Sequence, residues 1–267
     1  MKASAAVRLA ALIVCASLLL VSCAPDTEDF PVIVSAAQAT DAAECRTVDF
    51  LMQFTFGEEK TTLLFAQGEY TVSETAGGCV ISGKMAQTVL GAALTVEFYY
   101  ADGWYYYSID GNKHKREWPF DELKSGFIFS DVFLPAREDI TKMSRSTGGT
   151  GSIYTLEVGG DRTQELLTLL GEDIYALSQF SNPIKDRTTA DGLKLGYTLS
   201  DADGRLASRY LEYSLSIYDT PPYVPGQEPD YEDYRLDLDI TMRMNYKSYN
   251  GPAPVLPDLS GYSETTQ

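Results

Sequence analysis

Leu236-Asp237-Leu238-Asp239-Ile240-Thr241-Met242-Arg243-Met244-Asn245-Tyr246 decides the fold. Each even position is apolar or aromatic, and each odd one is polar or charged. A period of two is that of a β-strand, whose side chains leave alternate faces, so this strand has one dry face and one wet face. A half-wet strand points to an antiparallel sheet, because parallel sheets are buried on both sides. The alternation recurs upstream in Val48, Phe50, Met52, Phe54 and Phe56, and again in Leu94, Val96, Phe98 and Tyr100. It returns in Ser152, Tyr154, Leu156 and Val158, and in Leu211, Tyr213, Leu215 and Ile217.

Turn residues fall between these runs. Gly57-Glu58-Glu59-Lys60 joins the first two strands, and Asp102-Gly103, Asp110-Gly111 and Asp201-Ala202-Asp203-Gly204 supply residues that tolerate positive φ. Such spacing makes hairpins between neighbours. Helical signal is sparse. Trp118–Leu123 reads as a short turn with an early proline. Asp161 can cap a helix over Arg162–Leu170 that ends at Gly171, and a further piece is expected over Ile174–Phe180. The fold class is therefore α+β and mainly β: one antiparallel sheet of about eleven strands with two or three small helices. Each long strand offers several apolar residues on one face, and so few helices cannot cover them. The sheet must fold into a two-layer sandwich, or curl and hold something apolar in its concave face.

The stretch Val96–Trp118, with Tyr99-Tyr100-Ala101-Asp102-Gly103-Trp104-Tyr105-Tyr106-Tyr107 and then Asp110-Gly111-Asn112-Lys113-His114-Lys115, resembles a recurring hairpin of the LolA/LppX-like bacterial lipoproteins. Met244–Gly251, followed by Val255-Leu256-Pro257, is similar to that group's last strand and exit. The resemblance covers about residues 45–257 and rests on turn chemistry and aromatics. It implies an open half-barrel capped by helices, with an apolar cavity for acyl chains. On this reading residues 44–257 form the half-barrel, and its ligand-lining face is Phe50, Met52, Phe54, Leu94, Val96, Phe98, Leu238, Ile240 and Met242.

The ends are read separately. Lys2 and Arg8 precede an apolar run over Leu9–Val21, too short to span a bilayer stably and typical of a secretory signal. Leu20-Val21-Ser22-Cys23 resembles the lipobox of bacterial lipoproteins, which implies that residues 1–22 are removed and that Cys23 carries the lipid. Removal takes away two positive charges and no acids, so the net charge goes from −17 to −19. So acidic a chain is not expected to bind nucleic acid, whose affinity comes mainly from Lys and Arg at phosphates. The expected location is the extracytoplasmic face of the cell membrane, held by the lipid. Residues 23–43 read as a flexible acidic tether, Pro252 onwards as a loosely packed strap, and residues 258–267 as a disordered tail. Cys45 and Cys79 remain as an even pair in an exported chain and are expected to form a disulfide. Two strand spacings, about 9.6 Å, exceed the Cα separation of a bridge, so the Thr75–Gly78 turn would have to fold back.

Catalytic chemistry finds little footing. His114, the only histidine, stands between Lys113 and Lys115 beside a turn, and no nucleophile elbow, phosphate loop or zinc motif occurs. Asp201–Gly204 lacks the later ligands of a calcium loop. The expectation is a binding protein without cofactor or metal, not an enzyme, whose ligand is a lipid or other hydrophobic molecule. The rival is a surface module for glycan or protein with a dry core. Trp104 and Tyr106 share one strand face, Tyr105 and Tyr107 the other, so one pair must face outward or into a cavity.

Overall fold

A computed structural model describes residues 27–76, 78–126, 128–149, 151–171, 173–222 and 230–265. The signal segment 1–22 and Cys23 lie outside these. The first element among the described residues is helix α1, Phe30–Asp41. Strands β1 (Cys45–Phe56), β2 (Thr61–Thr75), β3 (Gly78–Val89), β4 (Ala92–Ala101), β5 (Trp104–Ile109) and β6 (Asn112–Glu117) follow, and then helix α2 (Phe120–Ser125). Strands β7 (Ile140–Gly148) and β8 (Gly151–Val158) come next, then helices α3 (Thr163–Leu170) and α4 (Asp173–Leu177). Strands β9 (Thr189–Ser200), β10 (Leu206–Tyr218) and β11 (Arg235–Tyr249) complete the body, and β12 is the short Ser263–Glu264.

The twelve described strands form one curled, unclosed sheet in the order β12-β6-β5-β4-β3-β2-β1-β11-β10-β9-β8-β7. Every pairing is antiparallel except β12 with β6. The sequence-expected half-barrel of about eleven strands is thus the fold observed, with the two-residue β12 added. Two meandering wings, β1–β6 and β7–β11, join where β1 lies beside β11. In that pair Met52 stands opposite Met242 and Phe54 opposite Ile240. Alternation in β11 works as read: Leu238, Ile240, Met242 and Met244 are buried, with the charged residues between them on the outer face. Asp102-Gly103 and Asp110-Gly111 adopt positive φ in two-residue turns. Leu90-Gly91 does the same between β3 and β4, although a bulky residue there is strained. Helix α3 begins at Thr163 with Arg162 as its N-cap and without a side-chain cap; Asp161 Oδ1 accepts the Thr163 N–H at 2.9 Å just ahead of it, and the helix stops at Gly171 with φ 72°.

Three expectations about the ends and the cysteines need correction. Residues 27–41 are no tether. Phe30, Ile33, Ala36, Ala37 and Thr40 of α1 are buried, a face at helical spacing, and α1 lies over β9 and β10. Two alanines on that face let the helix come close, and the backbone is held too: Thr40 Oγ1 accepts the Leu206 N–H at 3.0 Å, and Arg205 Nε donates to Ala39 O at 3.2 Å. Composition misled because Ala and Thr are weak signals until a partner surface exists. Nor is the segment 258–265 disordered: Tyr262 is buried, and β12 adds to β6, with Thr265 N–H donating to Lys115 O at 3.0 Å. A strand edge left bare is a liability, and this strap covers one.

Cys45 and Cys79 are unbonded. The register explains why. Cys45 stands opposite Ser73 and Cys79 opposite Glu74. Ser73 and Glu74 are consecutive, so the two thiols leave opposite faces of the sheet, and no refolding of a turn can join them. Cys45 Sγ instead donates to Pro252 O at 3.3 Å, and burial pushes the Cys79 thiol up to about 12.

Candidate functional site: the covered concave face

Topology puts a lid on this sheet. β6 and β7 are consecutive in sequence yet lie at or next to opposite edges. The connection, residues 118–139, must therefore travel from one wing to the other, and it does so across the concave face. Its described residues hold one short α-helix, α2, then an irregular stretch over 128–136 and a 3-10 turn, Arg137–Asp139. Leu123 and Val132 are buried, and Ile128, Phe129, Phe133 and Leu134 pack against the common core.

Below this cover lie the sequence-expected ligand residues. Register carries them onto one face: Phe50 pairs with Gly68, Gly68 with Met85, and Met85 with Val96. Phe50, Phe54, Phe98, Leu238, Ile240 and Met242 are buried in one apolar cluster that includes α1, and Met52 packs against it half-buried. Val96 is buried but stands apart from that cluster. Leu94 is half-exposed and borders a depression of about 280 Å³ near Phe65 and Asp110. The nine residues therefore share a face, and the cover packs against part of it. Phe129 meets Phe98 edge-on at 5.8 Å and Tyr70 at 5.2 Å. An open depression of about 590 Å³ lies elsewhere, on the convex face, between Leu51, Glu69, Lys84 and Arg243.

The cover is fastened by polar groups that rise from the concave face. Tyr70 donates its hydroxyl to Ile128 O and Tyr197 donates to Phe133 O, each at 2.5 Å. The buried Arg209 guanidinium donates to Asp131 O at 2.8 Å and Ser130 O at 3.0 Å, while its Nε meets Met244 Sδ at 3.1 Å. The Asp41 carboxylate at the end of α1 accepts the Val132 N–H at 3.1 Å. Around these, Arg46 pairs with Glu74 at 2.7 Å and Asp41 at 3.3 Å, and Lys124 pairs with Asp131 at 2.7 Å and Glu74 at 3.3 Å. Burial raises the Asp41 pKa, with the Val132 N–H and the nearby guanidinium groups opposing. Burial also lifts the Tyr70 and Tyr197 hydroxyls well above the usual phenol range.

Sequence reading missed this ring, but a signal existed. Arg209 is in phase with Leu211, Tyr213, Leu215 and Ile217, and Arg46 with Val48 and Phe50. A charge in phase with the apolar set of a strand must either be paired inside or break the pattern. Tyr213 is a different case: it is 4% exposed, and its hydroxyl has no hydrogen-bond partner among the described residues.

The aromatic hairpin divides its pairs as alternation requires. Tyr105 and Tyr107 pack toward the core, and Arg116 stacks over Trp118 at 3.9 Å behind them. Trp104 and Tyr106 face outward. The strap's Tyr262 sits edge-on to Tyr106 at 5.5 Å, Lys115 lies over Trp104 at 4.6 Å, and His114 lies beside Tyr107 at 5.4 Å.

No family model matches the sequence, and no curated protein matches it. Among solved structures, the chain is similar to LprF from Mycobacterium bovis, at TM-score 0.50 and 10% identity, over 89% of this chain and all of that one. A DUF1329 protein from Desulfovibrio piger and a LolA superfamily protein, NE2245, from Nitrosomonas europaea align over 84% and 86% of the chain. They cover 93% and 94% of their own lengths, with TM-scores of 0.25 and identities of 10% and 9%. The likeness to LprF is one of fold alone.

Proposed function

We propose that the protein is an extracytoplasmic lipoprotein, anchored through Cys23, that binds a lipid or other acyl chain between the concave sheet and the segment 118–136, without catalysing a reaction. One observation carries the reading. The segment over the apolar face has little regular structure of its own and is tied to that face by a handful of side-chain hydrogen bonds. Helices α1, α3 and α4 pack into the same cluster, whereas this part of the face is closed by an irregular segment. Phe129 and its neighbours then occupy the place an acyl chain would take. Each methylene moved from water to that face contributes about 0.8 kcal/mol, so a chain of ten or more carbons can offset a cover's lost contacts. The unpartnered Tyr213 hydroxyl, deep in the same cluster, would be met by a ligand oxygen or a water.

Native mass spectrometry of the domain from Thr27 onward, with α1 included, tests the proposal. The expected result is a lipid-mass adduct that organic extraction removes. Absence of lipid from the wild type, with no uptake of a fluorescent fatty acid after extraction, would retire the carrier reading. It would leave the outward aromatic and lysine surface around Trp104, Tyr106 and Tyr262 as a glycan- or protein-binding face.

A further inference from the structure

The place where the chain leaves the fold sets how the molecule sits on its membrane. Thr27 is already fixed: its Oγ1 accepts from Arg137 Nε at 2.9 Å, and two residues on Asp29 pairs with Arg145 at 3.3 Å, before Phe30 enters the core. Arg137 opens the short turn Arg137–Asp139 that leads into β7, a turn that also carries Glu138 and Asp139, and Arg145 lies within the strand. From Cys23 to Thr27 there are four residue steps, which span at most about 14 Å when fully extended. A chain of this size has a radius of gyration of about 18 Å. Such a leash cannot hold the body clear of the bilayer, nor let it tumble freely over its whole surface.

The side that carries Thr27 is chemically suited to a headgroup layer. β7 is the terminal strand of the sheet. Six of its nine residues are exposed, and its outer edge has no strand partner among the described residues. The strand carries Lys142 and Arg145 and no acid, in a chain of net charge −17. Partners moderate those charges, Glu157 at 2.8 Å from Lys142 and Asp29 at 3.3 Å from Arg145. The patch can therefore orient the body but is too nearly neutral to bind it alone, and the acyl chains supply the attachment. The opposite wing is closed by the strap: β12 adds to β6, and Tyr262 lies against Tyr106.

We propose that the β7 edge, with Arg137, Lys142 and Arg145, is the face the lipidated protein rests against the phospholipid surface. The β6–β12 edge and its aromatic surface then face away from the membrane. This rests on anchoring through Cys23. It gives the bare edge a cover, which a free strand edge otherwise lacks, and it turns the more acidic remainder of the surface from anionic headgroups.

The test uses the full lipidated protein in liposomes of phosphatidylcholine with one-fifth phosphatidylglycerol, doped with a headgroup-attached fluorescence quencher. In a Cys79→Ser background, a fluorophore is placed at Ser146→Cys on β7 or at Glu264→Cys on β12. Flotation with the liposomes checks the anchor separately. Strong quenching at 146, at least threefold that at 264, is expected. Insertion of fifteen Gly/Ser residues before Thr27 should erase the difference while flotation persists. Equal quenching at both positions in the floating protein, or stronger quenching at 264, overturns the orientation. Protein that does not float refutes the anchor, and the orientation with it.

Discussion

Two tyrosines on neighbouring strands allow a sharp check, because the same substitution should change stability in opposite directions. Tyr197 on β9 donates its hydroxyl to Phe133 O in the cover. Tyr213 on β10, opposite Ile240, has a buried hydroxyl with no partner among the described residues, and burial raises its pKa far above the usual phenol value. Removing a made hydrogen bond costs about 0.5–1.5 kcal/mol, more if the carbonyl left behind stays dry. An unmet buried hydroxyl carries a desolvation penalty of about 1–3 kcal/mol that its removal relieves. For a domain of this size about 1 kcal/mol moves Tm by about 2–4 °C. Tyr197→Phe should therefore lower Tm by a few degrees, and Tyr213→Phe should raise it by at least as much. The assay is calorimetry on the domain from Thr27 onward after lipid extraction. Loading with a fatty acid should then shrink the gain from Tyr213→Phe, because the wild-type hydroxyl acquires an acceptor. A fall in Tm for extracted Tyr213→Phe comparable to that for Tyr197→Phe would show that the hydroxyl is already bonded, and would remove its support for a ligand.

Thiol titration of the unfolded, unreduced domain should find both Cys45 and Cys79 reactive, since they leave opposite faces of the sheet; no reactive thiol would mean that the register is wrong. Because burial raises the Asp41 pKa in the fold, the folded state holds that proton more tightly than the unfolded chain. Its contribution to stability is thus full at low pH and is lost as pH rises through the folded value. Urea midpoints across pH should show this decline above about pH 4 in the wild type and a flatter profile in Asp41→Asn. Deletion of residues 258–267 strips β12 from β6, and light scattering should then detect concentration-dependent association that the full domain does not show.

Much of this was written in local pattern. The apolar set of Leu236–Tyr246 lies on the core face as its period of two requires, because alternate side chains of a strand cannot do otherwise. Asp102-Gly103 and Asp110-Gly111 make the tight turns their φ tolerance allows, and Asp161 accepts the Thr163 N–H ahead of α3, although the cap itself is Arg162. These follow from neighbours in sequence. The sequence did not determine which surfaces meet. Ala36, Ala37 and Thr40 read as tether until β9 and β10 offer α1 a face to approach closely. Cys45 and Cys79, plausible partners by count, are parted by the one-residue offset between Ser73 and Glu74. The cover over the expected ligand face exists because β6 and β7, adjacent along the chain, end up on opposite wings of the sheet. That follows from long-range strand order, which is set by the burial of the whole apolar face at once and leaves no mark in any short stretch of residues.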